Sequence, residues 1–126
     1  MVITDKDIAV CNVFHELKNE VEALDKKQFS LGYGQRNALY DHINSGYVQH
    51  YKLADAVTKW EKNGVRYRVL KGLFDILRVY RDLYGYFPEY KKMMAEFDSV
   101  LNFAAEKEEF EIAQILKEWR DKFPDP

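Results

Sequence analysis

The sequence predicts an all-α protein, a compact bundle of five or six helices ending in an antiparallel helical hairpin. Three observations carry this expectation. Apolar residues recur every three or four positions along most of the 126 residues. Glycines fall between the periodic stretches, where helix-to-helix turns need them. Hydrophobic residues make 47% of the chain and charged residues 32%, the balance of a folded protein rather than a disordered one. A chain of this length reads as one domain, 1–126, able to bury a core without disulfides.

The first helix is announced by Thr4 as N-cap, with Asp5 and Asp7 in the first turn. Ile8, Cys11, Phe14, Leu17, Val21 and Leu24 then form its inward face, with Lys18, Glu20, Glu22 and Lys26 outside. The glycines of Phe29-Ser-Leu-Gly-Tyr-Gly34 are expected to end this helix. Gly32-x-Gly34 lacks the preceding strand and third glycine of a dinucleotide fingerprint, so it reads as a connector. A short helix follows over Gln35 to Asn44, with Leu39 and Ile43 inward and Asn44-Ser-Gly46 as its stop.

Tyr47 to Lys62 predicts the next helix, with Leu53, Ala56, Val57 and Trp60 on one face and Asn63-Gly64 closing it. A β-hairpin across Val57–Leu70 is the rival, because Asn-Gly is hairpin turn chemistry and its flanks are β-prone. Helical spacing resumes through Leu70, Leu73, Leu77, Tyr80 and Tyr84, and Gly85 ends that helix. Pro88 suits the first turn of another, which turns Met93, Met94, Phe97, Val100, Leu101 and Ala104 inward. Glu106 to Glu109 form a charged corner, and Phe110, Ala113, Ile115 and Leu116 supply the apolar edge of a second arm. This hairpin subregion spans 88–122, and Phe123-Pro-Asp-Pro126 reads as a frayed tail, 123–126.

Leu101, Ala104, Glu109, Phe110, Glu111, Ile112, Ala113, Leu116, Lys117 and Glu118 resemble the UVR motif, over about residues 98–120. In that motif a leucine, an alanine, a charged corner and an acid–aromatic–glutamate–aliphatic–alanine run precede a leucine and a basic–acidic pair. Lys117-Glu118 stands where the family usually has Arg-Asp. The resemblance implies a helical hairpin through which bacterial excision-repair and related regulator proteins dock on one another. The cysteine pairs that bind zinc in some of those regulators are absent from this sequence.

Chemistry is sparse. His15 and Glu16 are neighbours and diverge on a helix, while His42 and His50 are separated by Gly46, so no metal-ligand spacing emerges. Ser30, Ser45 and Ser99 lie in no nucleophile-elbow sequence, and Asp41-His42 are too close in sequence to orient one another on a helix. The single Cys11 forms no intramolecular disulfide and reads as a buried thiol. There is no basic start followed by an apolar run, nor any run long enough to span a bilayer. A cytoplasmic location is expected, with no cofactor, no metal and no membrane partner.

Charge is segregated along the chain. Residues 57–92 carry nine basic and four acidic side chains, and residues 93–126 carry four basic and nine acidic. The expected function is therefore binding: a bacterial or bacteriophage adaptor or inhibitor docking on a protein partner. Glu108, Phe110, Glu111 and Lys117 are the candidate contacts on the hairpin, and Arg66, Arg68, Arg78 and Arg81 those on a basic face. The alternative is nucleic acid held by segment 59–81, with Trp60 and Tyr67 as base-stacking groups. A small helical enzyme or ligand-binding bundle using His15, His42 or His50 is the third possibility.

Overall fold

The computed structural model describes residues 2–126, and every regular element among them is helical. There are four helices rather than five or six: α1 (Asp5–Asn44), α2 (His50–Arg78), α3 (Tyr90–Glu106) and α4 (Phe110–Arg120). The difference lies in two glycine-bearing stretches read as breaks. Gly32 and Gly34 are inside α1, and Asn63-Gly64 is inside α2, so the β-hairpin alternative over Val57–Leu70 is also excluded. Each interior glycine costs a helix only about 1 kcal/mol, which tertiary packing readily offsets.

Contacts divide the chain into two units. The first comprises Met1–Val21 and Val69–Pro126, and the second Glu22–Arg68; α1 and α2 each contribute to both.

In the first unit α1 opens on a capping box. The Asp7 amide donates to Thr4 Oγ1 (3.2 Å), and the Thr4 amide donates to Asp7 Oδ2 (2.9 Å). Leu17, Leu70, Leu73, Leu77, Met93, Met94 and Phe97 are the fully buried centre, so α1, α2 and α3 all feed one core. Phe14 stacks on Phe74 and meets Phe87 edge-on, each at 5.1 Å between centroids. Ile8 is exposed and Cys11 is half-buried, donating its thiol to the Gly85 carbonyl (3.2 Å); Val10 and Val13 take the buried places instead.

α2 stops at Arg78, not near Tyr84. Asp82 Oδ1 accepts from the amides of Tyr84 and Tyr86 (both 2.9 Å), offering the backbone an alternative to the helix. Gly85 completes the turn at φ +86°, which a glycine adopts without strain. Pro88 lies just before the Glu89 N-cap of α3, outside the helix rather than in its first turn.

α3 and α4 form the antiparallel hairpin. The corner joins their near ends, and at the far end Arg120 Nε donates to Asp98 Oδ1 (2.7 Å) while the Tyr90 hydroxyl donates to the Pro124 carbonyl. Ala104, Ile115, Leu116 and Trp119 are buried, and Leu101, Val100 and Ala113 are half-buried. Phe110 is exposed and does not belong to the apolar edge. Residues 123–126 are no frayed tail: Phe123 is buried against Phe97 (6.2 Å) and Tyr90 (6.5 Å).

The second unit is a pair of helical segments. Asn63 is its one buried polar residue, and Nδ2 donates to the Leu24 carbonyl (3.1 Å) and to Gln28 Oε1 (2.9 Å). A Cβ on Gly64 would meet Gln28 Nε2 at 2.9 Å, and one on Gly32 would meet Trp60 Nε1 at 3.7 Å. Lys52 pairs with Asp41 at 3.0 Å nearer the turn. Residues rising along one segment thus face residues falling along the other, an antiparallel pairing. Leu39 and Ile43, expected inside, are exposed, and only Leu24 and Ala38 of this unit's apolar side chains are buried. α1 ends as its sequence signalled: Gly46 is left-handed (φ +74°), with Tyr47 N–H donating to the His42 carbonyl and Gly46 N–H to that of Ile43.

If residue 123 is core, Phe123→Ala lowers folding stability by about 3 kcal/mol. Urea denaturation measures this; a frayed terminus would leave the midpoint in place.

Candidate functional site

The hairpin corner is where exposed chemistry concentrates in the first unit. α3 closes in a full Schellman motif: the Glu109 amide donates to the Ala104 carbonyl (3.0 Å) and the Glu108 amide to that of Ala105 (3.1 Å). The left-handed position of such a motif usually belongs to glycine, and here Glu108 occupies it at φ +58°. Its Cβ makes that conformation costly by about 1 kcal/mol. Glu108 is exposed at this turn, as are Glu106, Glu109 and Glu111.

Two phenylalanines flank this acidic corner. Phe103, on the last turns of α3, is 60% exposed, and Phe110, the first residue of α4, is 69% exposed. Lys107 Nζ lies over the Phe103 ring at 5.6 Å. A shallow depression of about 410 Å³ continues from Phe103 and Glu106 along α3 past Asn102, Ser99 and Asp98 to Ala95. Phe103 was not singled out by the sequence reading, although it stands off the face set by Leu101 and Ala104. Lys117 is exposed in the last turn of α4, away from the corner.

Below the tip the hairpin is held rigidly. Its two buried faces meet through Ala104, Ile115, Leu116 and Trp119, and the Arg120–Asp98 bond ties the open end. That bond raises the Arg120 pKa further above its ordinary value, so the guanidinium stays charged. Burial pushes the Tyr90 hydroxyl up to about 12; Arg120 opposes this, and Asp125 and Asp98 reinforce it. The Tyr80 phenol is raised too, chiefly by donating to the Glu96 carboxylate.

The four candidate arginines are divided between the two units. Arg66 and Arg68 belong to the second unit, while Arg78 and Arg81 belong to the first. Two helical steps separate Arg66 and Arg68 by about 200°, and they point to opposite sides of α2. Arg66 is half-buried and Arg68 exposed. Arg78 lies 3.9 Å from Asp75, and Arg81, beyond the helix end, covers the Phe14 ring at 5.4 Å. Trp60 is exposed at the surface of the second unit, and Tyr67 is half-buried.

The histidines behave differently from their spacing. The α1–α2 turn brings the His42 and His50 rings to 6.4 Å, with Tyr47 and Tyr51 against them. Asp41 pairs with Lys52. Among the described residues no three His, Cys, Asp or Glu side chains are grouped to hold a metal ion, and no helix is long and apolar enough to cross a membrane. No protein-family model, curated protein or solved structure matches this chain.

Two outcomes follow from this geometry. Glu108→Gly relieves the left-handed strain and stabilises the protein by up to about 1 kcal/mol in chemical denaturation. Tyr90 holds its proton more tightly when folded than a free tyrosine, which titrates near 10. Its contribution to stability is therefore complete below about pH 10 and is lost as pH climbs through about 12. Thermal midpoints measured across that window should fall, and Tyr90→Phe should shrink the fall.

Proposed function

We propose that this protein is a docking module that engages a protein partner through the tip of the α3–α4 hairpin. The observation that carries the reading is the pair of exposed phenylalanines, Phe103 and Phe110, flanking a corner that exposes four glutamates on a packed hairpin. Buried aromatic anchors supply most of the affinity in protein interfaces, and a charged rim selects the partner and speeds encounter. The complement is a partner surface with an apolar pocket and a basic rim.

The resemblance of residues 98–120 to the UVR motif supports the same reading. Its alanine and second leucine, Ala104 and Leu116, are buried where a hairpin needs them, and its acid–aromatic–acid run, Glu109, Phe110 and Glu111, is exposed. The strained Glu108 is consistent with that reading, because backbone strain clusters at functional sites, although Tyr47 at the end of α1 is left-handed too. An adaptor or inhibitor in a bacterium or a bacteriophage is the setting that the motif suggests.

The test is capture of a partner from bacterial lysate after nuclease treatment, by the unaltered protein and by Phe110→Asp with Glu111→Lys. A stoichiometric partner retained by the first and lost by the second, with equal thermal midpoints for both proteins, is the expected outcome. Retention by both places the docking surface elsewhere and leaves the hairpin a structural element.

A further inference from the structure

The second unit has an apolar face with nothing upon it. A pair of helices buries only the sides that face each other, and the outer stripe of α1 here is unusually aromatic. Phe29, Tyr33, Arg36 and Tyr40 follow one another at steps of four, three and four, which places them along one face of the helix. Phe29 is 71% exposed, Tyr33 52% and Tyr40 57%. Trp60 of α2 joins Phe29, Tyr33 and Arg36 around an open depression of about 400 Å³, with Gln28 and Gln35 at its edges. The absence of a side chain on Gly32 keeps the floor open beneath Trp60.

We infer that this face binds single-stranded nucleic acid, with bases stacking on Phe29, Tyr33 and Trp60. Three features select that occupant. The rings are exposed and adjoin one another: Phe29 and Tyr33 meet edge to face at 5.1 Å and present one aromatic patch for a base, and Phe29 to Tyr40 covers about 16 Å of helix. Arg36 lies over the Tyr33 ring at 5.6 Å, in the middle of the stripe, so a cation is already placed where a phosphate would follow a stacked base. The charge of the unit agrees: residues 22–68 contain eight basic and five acidic side chains, although the whole chain is acidic. A second copy of the same unit would bring together two units that each carry an excess of basic side chains, which disfavours self-association there. This surface shares no residue with the hairpin tip, so it stands or falls independently of the protein-docking reading.

The experiment is fluorescence anisotropy with fluorescein-labelled 15-mers of oligo(dT) and oligo(U), at salt rising from about 50 to about 200 mM. Binding that weakens steeply with salt and quenches tryptophan emission is expected. Tyr33→Ala and Arg36→Glu should each weaken it about tenfold or more, within the range of one lost stacking or phosphate contact. Both residues are exposed, so helical circular dichroism should be unchanged, and Phe110→Asp should bind as the unaltered protein does. No binding at about 50 mM salt overturns the inference. Affinity untouched by both substitutions also overturns it, by placing the contact elsewhere. So does a dimer in sedimentation equilibrium that these substitutions dissociate, because the face would then belong to a second copy.

Discussion

Two packed helices can shelter only the sides that meet; any apolar residue on the outer sides needs a third layer. That constraint organises this protein. In the first unit the α3–α4 hairpin is the third layer, and with it Leu17, Leu70, Leu77, Met93 and Phe97 lose all contact with water. The second unit, taken by itself, is α1 and α2 running side by side without a third layer. Of its apolar side chains only Leu24 and Ala38 are buried there. The same two helices are thus core-building along one stretch and surface-building along another. Burial of a large apolar side chain contributes about 1.5–3 kcal/mol, so the first unit supplies most of the stability.

The division of labour extends to charge. Eight basic and five acidic residues lie in the second unit, which leaves the first strongly acidic, and its acid is concentrated at the hairpin corner. Both proposed surfaces combine aromatic rings with charge, and the predominant signs are opposite. At the corner the rings are phenylalanines among glutamates; on α1 they are phenylalanine and tyrosine interleaved with arginine. Aromatic side chains provide contact area at low conformational cost, and the charge around them decides which partner is admitted. Neither surface needs a moving part.

Much of the fold is legible in the residues. The Thr4–Asp7 cap, the inward run of Phe14, Leu17, Val21 and Leu24, the stop at Gly46 and the corner after Glu106 all reflect local chemistry that a sequence displays directly. Helix ends are harder, because they depend on competition. Gly32 and Gly64 resemble breaks, and their local cost is real, but a neighbouring helix comes close over each of them and the helices continue. Leu39 and Ile43 have the periodicity of a buried face and are exposed, since periodicity reports that a face exists and not that anything covers it. Phe123 follows the last helix and precedes two prolines, which suggests fraying; the pocket that receives it is made by Tyr90 and Phe97, far away in sequence. Of the site residues, Phe110 and its glutamates were found through the motif. Phe29, Tyr33 and Arg36 were hidden by the glycines between them, which marked the stretch as a connector.

The Asn63 side chain has a consequence for precision rather than strength. Its amide reaches a carbonyl and a side chain on α1 at one axial alignment of the two helical segments. Sliding either segment by a turn, about 5.4 Å, would leave that amide dry and unpaired, whereas interchangeable aliphatic contacts would tolerate the shift. A single polar group therefore acts as an indexing pin. Because Trp60 is carried on one segment and Phe29, Tyr33 and Arg36 on the other, their mutual spacing is inherited from a residue that does not line their depression.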